Sequence, residues 1–212
     1  MTAARQEHWE AVYRGKAEAQ TSWFRAHLDE SLRLIDALAL PSDAPLLDIG
    51  GGRATLVDDL LARGFHHVSV LDLSATALAD ARLRLESRGD AVKWLVGDAT
   101  TVELQAAHYA LWHDRAVFHF LTDAADRERY VATAARALRP GGYVIAATFA
   151  TDGPERCSGL PVCRYDAITL AAMFAPAFEK VAESRDVHRT PAGSEQPFTY
   201  VVLRRRHERT GA

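Results

Sequence analysis

The chain has 212 residues, with 25 Lys and Arg against 28 Asp and Glu and a formal net charge of −3. Its hydrophobic and charged fractions, 48% and 25%, are those of an ordinary globular chain with enough apolar side chains for a sizeable core. An acidic balance argues against a nucleic-acid partner held mainly by phosphate attraction, and no apolar run is long enough to span a membrane.

Arg5 to Arg14 sets His8, Trp9, Val12 and Tyr13 on one helical face, and Gly15 ends that helix. The loop that follows holds two large aromatics, Trp23 and Phe24, which either pack onto a core or wall a cleft. A second helix is predicted over Asp29–Ala39, with Leu32, Leu34, Ile35 and Leu38 as its apolar stripe and Pro41 as its stop. From Pro45 onward, strands and helices alternate. Strands are predicted at Leu46–Ile49, Val68–Leu71, Val92–Val96, Ala110–His113 and Tyr143–Phe149, and helices at Thr55–Ala62, Ser74–Glu86 and Ala124–Leu138. Ser74 and Asp123 are candidate N-caps, and Leu138-Arg139-Pro140-Gly141-Gly142 reads as a helix stop and turn. Such alternation gives a parallel sheet covered on both faces. After a short helix over Asp166–Phe174, Phe178–Val187 and Phe198–Leu203 read as two strands joined by a turn with Pro191, Gly193 and Pro197. With no helix between them, these two strands pair antiparallel. Arg204, Arg205 and Arg206 are expected to lie in a solvated tail.

Chemistry concentrates at the strand ends. Leu46 to Ile49 runs into Gly50-Gly51-Gly52, where bare glycines let a backbone approach a ligand, and Asp72 closes the next strand. A carboxylate there can accept bonds from both ribose hydroxyls. Gly97-Asp98-Ala99 after the third strand offers a second carboxylate and a backbone amide, suited to an adenine edge. A dinucleotide motif wants a third glycine where Thr55 stands, and only one nucleotide-binding half is visible. Adenosine fits better than NAD.

In order and spacing these motifs resemble those of the class I S-adenosylmethionine-dependent methyltransferases, over nearly the whole chain. Leu47-Asp48-Ile49-Gly50-Gly51-Gly52 matches the family's first motif, with Ala54 in place of its last glycine. Val70-Leu71-Asp72-Leu73-Ser74 matches the ribose motif, Gly97-Asp98-Ala99 the adenine turn, and Leu138 to Gly142 the run before the fifth strand. His8-Trp9-Glu10-x-x-Tyr13 with Ser22-Trp23-Phe24 is similar to the lid of thiopurine methyltransferase-like enzymes and of translation-factor lysine methyltransferases. The resemblance implies a Rossmann-like α/β fold: a mostly parallel seven-stranded sheet, helices on both faces and a C-terminal antiparallel hairpin. One domain would cover residues 1–205, with a helical lid over 1–44 and a short charged tail over 206–212. S-adenosylmethionine would be the cofactor, contacted by Trp9, Tyr13, Trp23, Asp48, Gly50, Gly52, Asp72, Leu73, Asp98, Ala99 and His113.

Trp112 to Phe120 ends the fourth strand and resembles the Asp-Arg-Gly-Ala-Leu stretch of the thiopurine-type enzymes, with Ala116 replacing glycine. His113 and Asp114 would face the methyl group or orient the acceptor, and His119 would serve as a base; alternatively Asp114 and Arg115 tie the strand end to its loop. A base is optional, because a sulfur nucleophile needs little more than positioning. The expected acceptor is a small molecule, in a cytoplasmic setting, with no nucleic acid, membrane or metal; the oligomeric state is left open. Cys157 and Cys163 lack zinc or redox spacing, yet with His188 they could hold a soft metalloid acceptor. Arg164 or Arg189 could anchor an acidic substrate. A protein-lysine methyltransferase and a non-catalytic adenosine-binding module are the competing readings. An NAD-linked oxidoreductase is disfavoured by Thr55 and by the closing hairpin.

Overall fold

The structure is a computed structural model and describes residues 2–15 and 21–207. Helices α1 (Thr2–Gly15) and α2 (Asp29–Ala37) precede an alternating core. That core comprises β1 (Leu46–Ile49), α3 (Leu56–Ala62), β2 (Val68–Asp72), α4 (Ala75–Leu85), β3 (Lys93–Val96), β4 (Tyr109–Arg115), α5 (Ala124–Ala137) and β5 (Leu138–Phe149). A small ladder of β6 (Arg156–Cys157) and β7 (Leu160–Pro161) follows, then α6 (Ala167–Met173), β8 (Phe178–Arg189) and β9 (Glu195–Arg205).

Every residue of β1 and β2 is buried, as a central parallel strand covered on both faces requires. The seven-stranded sheet runs β3-β2-β1-β4-β5-β9-β8, parallel throughout except that β9 pairs antiparallel with both β5 and β8. Alternation along the strands divides the core in two. Leu46, Val68, Val70 and Ile145 face α2, α3 and α4 through Leu32, Ile35, Leu56, Leu60 and Leu78. Leu47, Ile49, Trp112, Val144 and Val201 face α5 and α6 through Tyr130, Ala134, Leu170 and Phe174. The chain order reverses between β1 and β4, so their carboxyl ends open a crevice at the switch point. Ser74 caps α4 by accepting from the Ala77 amide at 3.1 Å, and Asp123 caps α5 by accepting from Ala125 at 2.7 Å.

Several boundaries differ from the sequence expectation. Leu138 to Gly142 is not a turn but the start of β5. Leu138 pairs with Tyr109, and the register then slips before Leu111 meets Tyr143, a bulge that takes up Gly141 at φ +77. Helix α2 stops at Ala37, two residues early. Arg204 and Arg205 are not tail: they pair in β9 with Tyr143 and Phe178, and Arg205 donates to the Leu138 carbonyl. Of the expected tail only Arg206 and His207 are described; residues 208–212 lie outside the described residues. No helix among the described residues is long and apolar enough to cross a membrane.

Candidate active site

A cleft with about 1270 Å³ of empty space, its open mouth included, lies over the carboxyl ends of β1, β2 and β4. Its floor is the loop after β1. Gly50 has φ +64, and a Cβ added there would come within 2.1 Å of Val117 Cγ2. At Gly52, φ +40, a Cβ would meet Tyr13 Oη at 2.6 Å and Asp72 Oδ2 at 2.9 Å. These two positions need glycine for both conformation and space. Gly50 lines the cleft, while Gly52 lies under Tyr13 and Asp72.

Two buried carboxylates stand at the neighbouring strand ends. Asp72 closes β2 and accepts from the Ser74 amide at 2.8 Å through Oδ1. Burial drives its carboxyl up to about 7; the Ser74 amide opposes this, and the charges of Asp48 and Glu10 add to it. Asp98, after β3, accepts from Thr100 N and Oγ1 at 2.8 and 2.7 Å through Oδ1. Its Oδ2 is buried with no hydrogen-bond partner, although Arg5 lies 3.7 Å away. Leu73, Ala99 and Thr100 complete this wall of the cleft.

Helix α1 closes the cleft from above. Its Glu10 accepts from Thr76 Oγ1 at 2.6 Å and so pins α1 to the start of α4. Arg5, one turn before Trp9, pairs with Asp126 on α5. Between these anchors Trp9 packs edge-on against Trp23 and Phe120, with centroids at 5.9 and 5.1 Å, and Tyr13 packs against Trp23 at 6.0 Å. Burial first, then the Asp72 charge, raises the Tyr13 phenol well above its usual range, so it stays protonated. Trp9, Tyr13 and Trp23 thus line one cavity with Asp48, Asp72, Leu73, Asp98, Ala99 and His113.

The three candidate catalytic groups are placed differently. Register sets Asp48 of β1 beside His113 of β4. Asp48 Oδ1 accepts from His113 Nδ1 at 2.7 Å, and Nε2 meets Ser31 Oγ of α2 at 2.9 Å. Both ring nitrogens are engaged within the fold, so His113 braces the cleft wall. Of its two expected roles Asp114 takes the second, tying the strand end to its loop instead of facing the acceptor. Fully buried and outside the cleft lining, it accepts from the Val117 and Phe118 amides at 2.9 and 3.0 Å and from the Tyr130 hydroxyl. Its neighbours on either side in sequence do line the cleft, so alternation along β4 explains the outcome. His119 is also fully buried and outside the lining. It packs on Phe120 and Phe149, with burial pushing its pKa down to about 3, which makes it a poor base. Cys157 lines the cleft, but His188 is held by Arg25 at 3.1 Å and by the Ser22 carbonyl at 2.7 Å. No group of three or more potential metal ligands occurs among the described residues.

Sequence reasoning passed over several lining residues: Arg5, Leu28 and Phe120. Arg5 had a signal, its i, i+4 spacing to Trp9. Ser31 had none, since its bond to His113 depends on how α2 docks on β4.

Comparison with known proteins agrees with this geometry. Residues 46–142 match the family described as "Methyltransferase domain". That stretch, a little under half of the chain, matches a methyltransferase domain, and the fold is shared with solved S-adenosylmethionine-dependent methyltransferases. The Burkholderia thailandensis 1,6-didemethyltoxoflavin-N1-methyltransferase, solved with S-adenosylhomocysteine, shares the fold. It has a TM-score of 0.74 and 22% identity, over 97% of this chain and 88% of that one. A structure solved in a study of disulfide-to-thioacetal conversion during echinomycin biosynthesis has a TM-score of 0.78 at 20% identity, covering 97% and 94%. Among curated relatives, human EEF1A lysine methyltransferase 2 is 26% identical over 66% of this chain and 65% of its own length. A ubiquinone biosynthesis O-methyltransferase of Aromatoleum aromaticum is 35% identical over 60% and 55%. The chain spans less than two thirds of the length of the first curated relatives it matches, 65% of the human protein and 63% of the mouse protein.

The cleft's own chemistry fits the domain's cofactor. Asp98 Oδ2, which has no hydrogen-bond partner, and the exocyclic amine of an adenine are complementary, and so are the Asp72 carboxylate and a pair of ribose hydroxyls. The close approach at Gly50 and Gly52 leaves no room for a side chain in this floor.

Proposed function

We propose that this protein methylates a small-molecule nucleophile, using S-adenosylmethionine held by Asp72 and Asp98 beneath the α1 lid. The observation that carries the proposal is a single cleft joining two buried acids to a compartment walled by Trp9, Trp23 and Phe120. When bound, the cofactor supplies a methyl group made electrophilic by its sulfonium. Asp72 receives the ribose hydroxyls, Asp98 and the Ala99 amide the adenine, and Tyr13, Trp9 and Trp23 cover the methionine portion. His113, braced by Asp48 and Ser31, keeps the wall beside the reacting carbon rigid. The aromatic lid excludes water, and positioning of this kind is worth about 7–11 kcal/mol. With His113 engaged and His119 packed away, the acceptor is expected to be a thiol, or an oxygen or nitrogen that reaches the site already deprotonated.

A second reading, transfer to a protein lysine, is favoured by the EEF1A lysine methyltransferase 2 relatives. Incubation of the protein with tritiated S-adenosylmethionine and a cell lysate separates the two. A labelled small-molecule product separable from the tritiated cofactor itself supports our reading, and a discrete labelled protein band supports lysine transfer. Tight binding of S-adenosylhomocysteine with no turnover across thiols, amines and phenols would leave a binding module.

A further inference from the structure

The arginines that line the cleft are matched to acids, with one exception. Arg5 pairs with Asp126, Arg25 with Asp186 at 2.7 Å, and Arg53 with Asp80. Arg115, the last residue of β4, has no carboxylate within ion-pair distance among the described residues. It is held from behind: Nε donates to Tyr200 Oη at 3.2 Å, and the guanidinium stacks 4.4 Å from the centre of the Phe198 ring. Its Nη2 is buried and finds no acceptor. Neither nearby histidine adds or answers charge. Burial first, with the Arg115 charge adding to it, lowers His119 to about 3 and His188 to about 4.

A buried N–H without an acceptor is costly, and a guanidinium fork is shaped to meet a carboxylate through two parallel bonds. The surroundings add a shape. Phe120 packs on His119 with centroids 4.4 Å apart, and Trp23 follows Ser22, whose carbonyl holds His188; both aromatics line the same cleft. A cleft that combines flat apolar walls with an unanswered cation suits a planar ring bearing a carboxylate. They suit a lysine side chain poorly, because its ammonium would meet a like charge.

Resting on the reading of the cleft given above, we propose that Arg115 is the specificity-determining residue of the acceptor site and that the acceptor is a planar molecule carrying a carboxylate. The guanidinium binds the acid and turns the nucleophilic atom of the ring toward the methyl group; it takes no part in bond making.

The test is calorimetry on protein saturated with S-adenosylhomocysteine, using 3-hydroxybenzoate and its neutral counterpart 3-hydroxybenzamide. Wild type is expected to bind the acid at least tenfold more tightly than the amide. In Arg115→Met that preference falls to about onefold while S-adenosylhomocysteine affinity stays within threefold, and Arg115→Lys keeps part of the preference. Equal affinity of wild type for acid and amide, failure to bind the acid at millimolar concentration, or a preference that survives in Arg115→Met overturns the proposal. Because the acid–amide contrast is read in wild type, poor folding of a variant does not shield it. Failure of wild type to bind S-adenosylhomocysteine at all instead refutes the cofactor reading, and this inference with it.

Discussion

In the role proposed for it, Asp72 would set cofactor binding against the stability of the ligand-free fold. Folded, its carboxyl keeps a proton up to about pH 7 because burial disfavours the charge, whereas an unfolded Asp loses it near pH ~4. Between those values the folded state holds the extra proton. The stability that Asp72 contributes is therefore complete below about pH 4 and is lost as pH rises to about 7. Cofactor binding runs the other way, since the ionised carboxylate is the better acceptor for ribose hydroxyls. Affinity for S-adenosylhomocysteine is expected to climb between pH 6 and 8, and a flat calorimetric profile would contradict the assignment. Asp72→Asn should weaken that affinity by about 1–3 kcal/mol. It should also flatten the stability profile between pH 4 and 7 and raise stability at pH 8, measured by urea unfolding. At the neighbouring turn, Gly50→Ala combines a positive φ with a contact to Val117 Cγ2. It should cost about 2 kcal/mol on denaturation even without ligand. Asp72, Asp98 and Gly50 were legible in the sequence because an acid or glycine after an apolar run has one place to go in a parallel sheet. Asp114 and His119 were not. Their identity suits catalysis, but their direction depends on the side of β4 and its loop that each falls on.

At the scale of elements, α1 and α2 connect the sheet to the cleft. Helix α1 is held by Glu10 on Thr76, Arg5 on Asp126 and the stack of Trp9 on Phe120 and Trp23. Trp9→Ala removes that stack, and a loss of about 1–2 kcal/mol in S-adenosylhomocysteine affinity is expected. A smaller effect is expected on the melting point, since Trp9 is only partly buried. An unchanged dissociation constant would show that α1 covers no ligand. The order of core strands and helices was readable because buried parallel strands give short apolar runs and amphipathic helices give a different period. Where periodicity fails, so did the reading. Two-residue strands such as β6 and β7 have no period, and edge strand β8, exposed along most of its length, has little apolar alternation to mark its end. The bulge in β5 was hidden for a different reason. Pro140 and two glycines signal a turn locally, and only pairing with Tyr109 carries them into the sheet.

For the whole molecule, ligand linkage is the most direct check. S-adenosylhomocysteine at a hundred times its dissociation constant should add about 2.7 kcal/mol. In a chain of this size that moves the melting temperature by ~5–10 °C, while NAD should leave it in place. A shift with NAD alone would point to a different nucleotide. The sheet order carries a consequence for synthesis. Strand β9 lies between β5 and β8, yet it is translated after both. Until residues 195–205 leave the ribosome, β5 presents an open apolar rim through Val144, Ile145 and Ala146, and β8 has no neighbour to zip onto. A nascent chain stalled there would be a natural client for a chaperone that shields bare sheet margins, and arrival of the last strand would seal both flanks in one stroke.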